Sequence, residues 1–171
     1  FKVNDGTSDS NTATVSITVT AVNDPPVLAS IGNQTIDELT NLTFTVSATD
    51  PDSSITYSLI NAPTGATINP TTGVFSFTPT ESQGPGDYTL TVSVTDGAAT
   101  DSEEITITVN EVNTAPVALD DSVSTNEDTS KTITLSATDS DFPANTLTYS
   151  IVSGVSHGAL GAISCNQIAY T

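Results

Sequence analysis

Apolar residues alternate with threonine and serine over several short stretches of the chain. The alternation is clearest in residues 44–48, 55–59, 75–77, 88–94 and 105–109. A period of two is typical of a strand with one buried face, and Thr, Val and Ile favour strands. No segment combines helical spacing with helix caps, so the pattern predicts an all-β protein.

Two pairs of segments repeat along the chain. "VNDGTSDSNTATVSITVTAVNDPPV" (3–27) matches "VTDGAATDSEEITITVNEVNTAPV" (94–117), and "DELTNLTFTVSATDPD" (37–52) matches "NEDTSKTITLSATDSD" (126–141). The repeat spans roughly 90 residues and contains only strand patterns, which is the size of one β-sandwich domain. The sequence therefore predicts tandem Ig-like or cadherin-like Greek-key β-sandwiches.

The repeat divides the chain into three parts. Residues 1–24 are expected to supply the last two strands of a preceding or neighbouring-chain sandwich. Residues 25–113 are expected to form a complete sandwich, and residues 114–171 an incomplete one. Prolines follow the Val-Asn segment at both junctions and restrict the backbone there. Short, stiff linkers of this kind favour a rod of domains.

The chain is strongly acidic. It carries 20 acidic and two basic side chains, for a formal charge of −18. Lys2 and Lys131 cannot form a basic patch, which excludes nucleic-acid binding by phosphate neutralisation. No apolar stretch is long enough to predict membrane insertion of this segment. An acidic excess of this size indicates either a solvated surface or a set of cation sites.

An Asp-X-Asp sequence follows a predicted strand in both repeats. Asp50 and Asp52 are two positions apart, so their side chains can converge if the strand continues to that point. Neighbouring carboxylates repel each other, and Ca²⁺ is a cation that many oxygen ligands can share. Zinc would require His or Cys, of which the chain has only His157 and Cys165. The pattern favours calcium over zinc.

The expected sandwich topology groups the acidic residues at two junctions. One candidate calcium site contains Asn23, Asp24, Asp50, Asp52 and Asp96. The other contains Glu38, Glu81, Glu111, Asn113, Asp139 and Asp141. Each site joins a linker to the Asp-X-Asp segment of the domain that follows it, and the second site also includes Glu38 and Glu81 of the domain before the linker.

The segments "ATDPD", "ITYSLI", "INPTTGVFSF", "YTLTVSVTDG" and "ITITVNEVNTAPV" together resemble a cadherin-type repeat. The resemblance implies Ca²⁺ bound between domains, and the matching positions are Glu38, Asp50, Asp52, Asp96, Glu111 and Asn113. The linker is one residue shorter than the family's, and Thr114 stands where an acid would help, which implies fewer ions per junction. The two flanking parts resemble bacterial tandem Ig-like modules, which occur in large prokaryotic surface adhesins.

These observations predict a calcium-rigidified repeat segment of an extracellular or secreted cell-surface adhesin, stalk or filament. Its partners would be neighbouring repeats of the same protein. Catalysis is not expected, because the chain has one His, no phosphate-binding loop and no plausible Ser/His/Asp set.

Two alternatives remain open at this point. The segment could be an accessory carbohydrate-binding or spacer module of a secreted polysaccharide-degrading enzyme, although it has no Trp to form an aromatic platform. It could also be a filament subunit completed across head-to-tail copies by strand complementation. In that arrangement Asp5 of one copy would join Asp139 and Asp141 of another.

Overall fold

A computed structural model describes residues 1–171. Thirteen strands and one short 3-10 helix, Glu81–Gln83, make up its regular structure, which confirms the all-β class. The first nine strands lie in residues 27–110: β1 Val27–Leu28, β2 Gln34–Asp37, β3 Leu42–Thr45, β4 Ala48–Thr49, β5 Thr56–Ile60, β6 Thr67–Ile68, β7 Val74–Phe77, β8 Gly86–Thr95 and β9 Thr100–Asn110. The other four are β10 Val117–Leu119, β11 Lys131–Thr134, β12 Ser136–Thr138 and β13 Gln167–Tyr170.

Strands β1 to β9 form a sandwich with one core. A four-stranded sheet in the order β2-β9-β8-β5 faces a three-stranded sheet in the order β3-β7-β6, and β1 pairs with β4. The alternating apolar residues point inward from both sheets, as a strand period of two requires. Their largest buried members are Phe75, Phe77, Leu90, Ile105 and Ile107.

The pairing of β2 with β9 positions the junction. These two strands are parallel, whereas the other strand pairs are antiparallel. Asp37 lies opposite Asn110, so the chain leaves both strands at the same end of the sandwich. The backbone N–H of Glu38 donates to the carbonyl of Asn110 at 3.0 Å. This parallel pair therefore brings Glu38 next to the linker that begins at Glu111.

Glu103 of β9 holds the loop between β1 and β2 against the sheet. Its carboxylate accepts hydrogen bonds from the backbone N–H groups of Ile31 and Gly32, at 2.8 and 2.9 Å. The N–H groups of Gly32 and then Ile31 lower the pKa of Glu103 below its ordinary value. The charged form is therefore favoured by folding.

We expect Glu103→Ala to reduce the free energy of unfolding by about 1 kcal/mol at neutral pH, because charge-assisted hydrogen bonds are lost. Because the pKa is lowered in the folded state, this contribution is present above the unfolded pKa. It decreases as pH falls below about 4 and towards the lowered pKa of the folded state. Urea unfolding of both proteins at pH 7 and pH 3 measures the difference. A difference that is as large at pH 3 as at pH 7 would contradict the assignment.

The second unit repeats half of this arrangement. β10 pairs with β12 as β1 pairs with β4, and β11 pairs with β13 as β3 pairs with β7. The residues that correspond to β2 and β5, at 123–126 and 148–152, have no strand partners. The four-stranded sheet of the first sandwich thus has no counterpart in the second unit.

Residues 1–24 contain one isolated β-bridge, between Asn4 and Asp9, and no strand. The sequence predicts two strands here, and the structure differs because no sheet lies beside the segment to pair with it. An isolated hairpin is marginally stable at best in water. The domain boundaries, and the pairing of this segment with another sandwich, stay predictions.

Candidate metal centre at the domain junction

Three glutamates meet at the end of the first sandwich. Glu38 follows β2, Glu81 opens the 3-10 helix, and Glu111 follows β9. Each offers a carboxylate oxygen, and these oxygens lie within 4.8 Å of one another. Glu38 is 1% exposed, while the other two are half-buried. The ends of two strands and the start of the 3-10 helix therefore place three carboxylates close together.

Several carboxylate oxygens of this cluster have no hydrogen-bond partner. Glu38 Oε1 accepts from the backbone N–H of Val112 at 3.0 Å. Glu38 Oε2 and both oxygens of Glu111 are inaccessible to solvent and unpaired. An unpaired buried carboxylate is costly, so such oxygens require either a proton or a cation.

The pKa of Glu111 also indicates that no positive charge lies close to the cluster. Burial raises the pKa of Glu111 most, followed by the charges of Glu38, Glu81 and Asp141. All of these effects disfavour the ionised carboxylate. A divalent cation at this point would reverse them, because an opposite charge favours the ionised form.

Gly84 is a residue of the candidate site that sequence reasoning missed. It is buried, and a side chain there would meet Glu38 Oε2 and would lie 3.2 Å from the carbonyl oxygen of Asn110. The absence of a side chain at Gly84 therefore makes room for the Glu38 carboxylate. No sequence pattern marks this role, since the contact joins residues far apart in the chain.

The second unit contributes Asp139 and Asp141 to the same junction. Asp141 is 4% exposed. Its Oδ1 accepts from the backbone N–H of Thr114 at 2.9 Å, and its Oδ2 from the side-chain amide of Asn145 at 3.0 Å. The N–H of Asp141 in turn donates to Asp139 Oδ1 at 3.0 Å. The Asp-X-Asp segment is thus folded back on itself and tied to the linker.

Two further hydrogen bonds bridge the junction. Glu81 Oε1 accepts from the backbone N–H of Phe142 at 3.1 Å, which joins the first sandwich to the second unit. Asn113 Oδ1 accepts from the side-chain amide of Asn145 at 3.3 Å. Asn145 is the second residue that sequence reasoning missed; it lies in the loop after the Asp-X-Asp segment, where no motif distinguishes it. The structure brings all six predicted residues of this site to one junction.

The other predicted group lies at the opposite end of the first sandwich. Asn23 Nδ2 donates to Asp96 Oδ2 at 2.8 Å, and the backbone N–H of Asp24 donates to Asp52 Oδ2 at 3.3 Å. Asp50 Oδ1 accepts from the N–H groups of Asp52 and of the residue after it, whereas its Oδ2 is buried and unpaired. The structure therefore brings these five residues together as well.

Asp96 and Asp5 occupy matching turns but differ in their surroundings. The N–H of Ala99 lowers the pKa of Asp96 most, followed by the Asn23 amide and the N–H of Ala98. The pKa of Asp5 is lowered by the N–H groups of Ser8 and Thr7. The hydrogen bonds of the Asp5 carboxylate are therefore local to its turn. The predicted contact of Asp5 with Asp139 and Asp141 concerned a second copy of the chain and stays a prediction.

The donor set at both junctions fits a hard cation. Carboxylate, amide and carbonyl oxygens are the ligands of Ca²⁺, which accepts about six to eight of them in flexible geometry. The residues that zinc prefers lie elsewhere: Cys165 is free and exposed, and the His157 ring contacts Ser156. Both groups are thus candidate calcium sites, and the Glu38 cluster has the most unpaired buried oxygens.

The fold and the acidic junction together define a tandem, cadherin-like Ig β-sandwich. Residues 25–110 match the family described as "Putative Ig domain", and residues 113–171 match the family described as "Bacterial Ig domain". The chain belongs to the first of these families, which covers half of it. No curated protein sequence matches the chain.

Solved structures confirm the cadherin-like fold. Human protocadherin-24 EC1-2 (Form II) aligns with a TM-score of 0.56 at 21% identity, over 86% of this chain and 78% of that one. Human CDH23 EC21-23 aligns with a TM-score of 0.55 at 20% identity, over 89% of this chain and 55% of that one. At this level of identity the likeness concerns the fold alone.

A weaker match is to a "putative alpha-galactosidase" from Bacteroides fragilis, with a TM-score of 0.44 and 18% identity over 55% of this chain. The chain spans only 19% of that structure's length. A likeness this low carries no argument about function.

The structure contains no helix with the length and apolar character needed to span a membrane.

Proposed function

We propose that this segment is a structural repeat of an extracellular surface protein, stiffened by Ca²⁺ bound at its domain junctions. The observation that carries the proposal is the group of unpaired, buried oxygens on Glu38 and Glu111. The charge of Asp141, from the second unit, also contributes to the raised pKa of Glu111. The proposed role is mechanical rather than catalytic. Bacterial Ig-like and cadherin-like repeats commonly serve outside the cell, which supports an adhesin, stalk or filament.

The proposed mechanism follows from charge at a hinge. Glu38, Glu81 and Glu111 belong to the first sandwich and its linker, whereas Asp139 and Asp141 belong to the second unit. Without a cation, repulsion between these carboxylates favours separation of the two units. Ca²⁺ supplies the missing positive charge when it is bound. The carboxylates then hold the two units at one angle. The hydrogen bond between Phe142 and Glu81 helps to keep the two units in this relative orientation.

The proposed ion should stabilise the folded chain by mass action. At free Ca²⁺ about 100-fold above the dissociation constant, one site contributes roughly 2.7 kcal/mol. For a chain of this size that energy raises the melting temperature by about 5–10 °C. Circular dichroism melting in CaCl₂ and in EDTA measures the shift, with MgCl₂ as the control for ionic strength and ion size. Equal melting temperatures in CaCl₂ and EDTA would overturn the proposal.

The mechanical part of the proposal needs a separate measurement of shape. Small-angle X-ray scattering should give a longer and narrower distance distribution in CaCl₂ than in EDTA, because a fixed junction removes bent conformations. A melting shift without any change in the distance distribution would leave calcium binding in place but would contradict rigidification.

A further inference from the structure

The second unit has a longer loop after its Asp-X-Asp segment than the first sandwich has. Two residues, 53–54, separate that segment from "ITYSLI" in the first sandwich, whereas five residues, 142–146, separate it from the matching "LTYSIV" in the second unit. The five residues are here called the junction loop. The loop begins with Phe142, whose backbone N–H donates to Glu81 of the first sandwich at 3.1 Å. The longer loop therefore lies at the domain junction.

Asn145 of the junction loop uses its side-chain amide to join two parts of this junction. Its Nδ2 donates to Asp141 Oδ2 at 3.0 Å and to Asn113 Oδ1 of the linker at 3.3 Å. A primary amide carries two N–H donors, so both hydrogen bonds can form at once. Asn145 therefore connects the linker to the Asp-X-Asp segment of the second unit through side chains alone.

The carboxylate of Asp141 depends on Asn145 because Asp141 is 4% exposed and a buried carboxylate needs hydrogen-bond donors. Its Oδ1 accepts from the backbone N–H of Thr114, and Asn145 supplies the donor for Oδ2. These two hydrogen bonds leave lone pairs free for a cation. The charge of Asp141 also acts on Glu111, so the carboxylate that Asn145 holds lies near the cluster of three glutamates.

We propose that Asn145 is a positioning residue of the calcium site, which holds the Asp141 carboxylate and the Asn113 side chain in place for the ion. This inference rests on the proposed function and names a residue on which the affinity of that site depends. A carboxylate that is already oriented loses less conformational freedom when the ion binds. Residues that hydrogen-bond to metal ligands typically change metal affinity by about 10–100-fold.

Isothermal titration calorimetry of the full chain with Ca²⁺ tests whether the N–H donors of Asn145 matter. Asn145→Leu keeps a side chain of similar size without donors, and we expect Ca²⁺ affinity at this junction to fall at least about tenfold. Asn145→Gln keeps both donors, and we expect it to restore the affinity to within about threefold of the native value. Thr146→Ala changes the next, exposed residue and is the matched control, which should stay within about twofold.

NMR spectra of the isotope-labelled chain in EDTA test the contact between Asn145 and Asp141 without any ion. Asp141→Ala should move the side-chain amide signals of Asn145, because the Nδ2 donor loses its acceptor. Asp120→Ala removes an exposed acid that follows β10 and is the control, which should leave these signals in place. Asn145 signals that stay unchanged in Asp141→Ala would overturn the inference.

The Ca²⁺ affinity of the native chain separates this inference from the proposed function. A native chain that does not bind Ca²⁺ would overturn both. If the native chain binds Ca²⁺ and Asn145→Leu binds it equally well, the inference is wrong and the proposed function stands. The same holds if Asn145→Gln binds as weakly as Asn145→Leu, because the side chain would then act by its shape and not by its donors.

Discussion

Replacing Phe75 with alanine is expected to lower the free energy of unfolding of the first sandwich by about 4 kcal/mol. Phe75 is fully buried on β7, and its ring stacks on Phe44 with the ring centroids 4.7 Å apart. Because it lies between the two sheets, the surrounding side chains can fill only part of the space that its ring would leave. A change of this size is a large fraction of the stability of a domain.

Hydrogen exchange of the β8 and β9 amides is the suitable measurement, since it reports on the first sandwich separately from the second unit. Val74→Ala is the matched control on the same strand, because Val74 is exposed to solvent. It should change the free energy by no more than about 0.5 kcal/mol. Similar losses for both substitutions would show that β7 does not present Phe75 to the core.

The strands of the first sandwich could be predicted because their burial follows a period of two. The sequence places Ile105, Ile107 and Val109 on one strand face, and the structure buries all three in β9. The same reasoning predicts one strand over residues 44–48, where the structure has β3 and then β4. Here the chain changes partners, since β3 pairs with β7 and β4 with β1. Periodicity cannot reveal a change of partner.

Some residues of the candidate site could be predicted from the sequence repeat, whereas others are recognised only from contacts in the folded chain. Charged residues that recur at matching positions, such as Asp50 and Asp139, are visible in the repeat. Gly84 and Asn145 are not, because their roles depend on contacts with distant residues. The backbone N–H of Val112, which orients Glu38, has no sequence signature at all, since every residue except proline carries one.

Substituting Glu38 by glutamine is expected to change stability in opposite directions with and without calcium. In EDTA the variant should be more stable than the native chain, on the order of 1 kcal/mol, because one of three clustered charges is removed. The substitution changes the shape of the side chain little. Its amide oxygen can still accept the hydrogen bond from Val112, and its amide hydrogens can donate to Glu81 or Glu111.

In CaCl₂ the same substitution should make the chain less stable than the native one. Loss of one carboxylate ligand lowers the charge of the site, and we expect Ca²⁺ affinity at this junction to fall at least about tenfold. Isothermal titration calorimetry measures the affinity, and melting in EDTA and CaCl₂ measures stability. The variant should therefore melt at a higher temperature than the native chain in EDTA and at a lower temperature in CaCl₂.

Glu104→Gln is the matched control for this prediction. Glu104 lies on β9 of the same sandwich, is exposed, and carries the same charge outside the cluster. Its substitution should leave both the affinity and the two melting temperatures nearly unchanged, because isolated surface charges contribute little. If Glu38→Gln behaves like Glu104→Gln in both solutions, Glu38 is neither repelled by its neighbours nor a calcium ligand. If it lowers stability in EDTA as well, the buried carboxylate is already compensated without a cation.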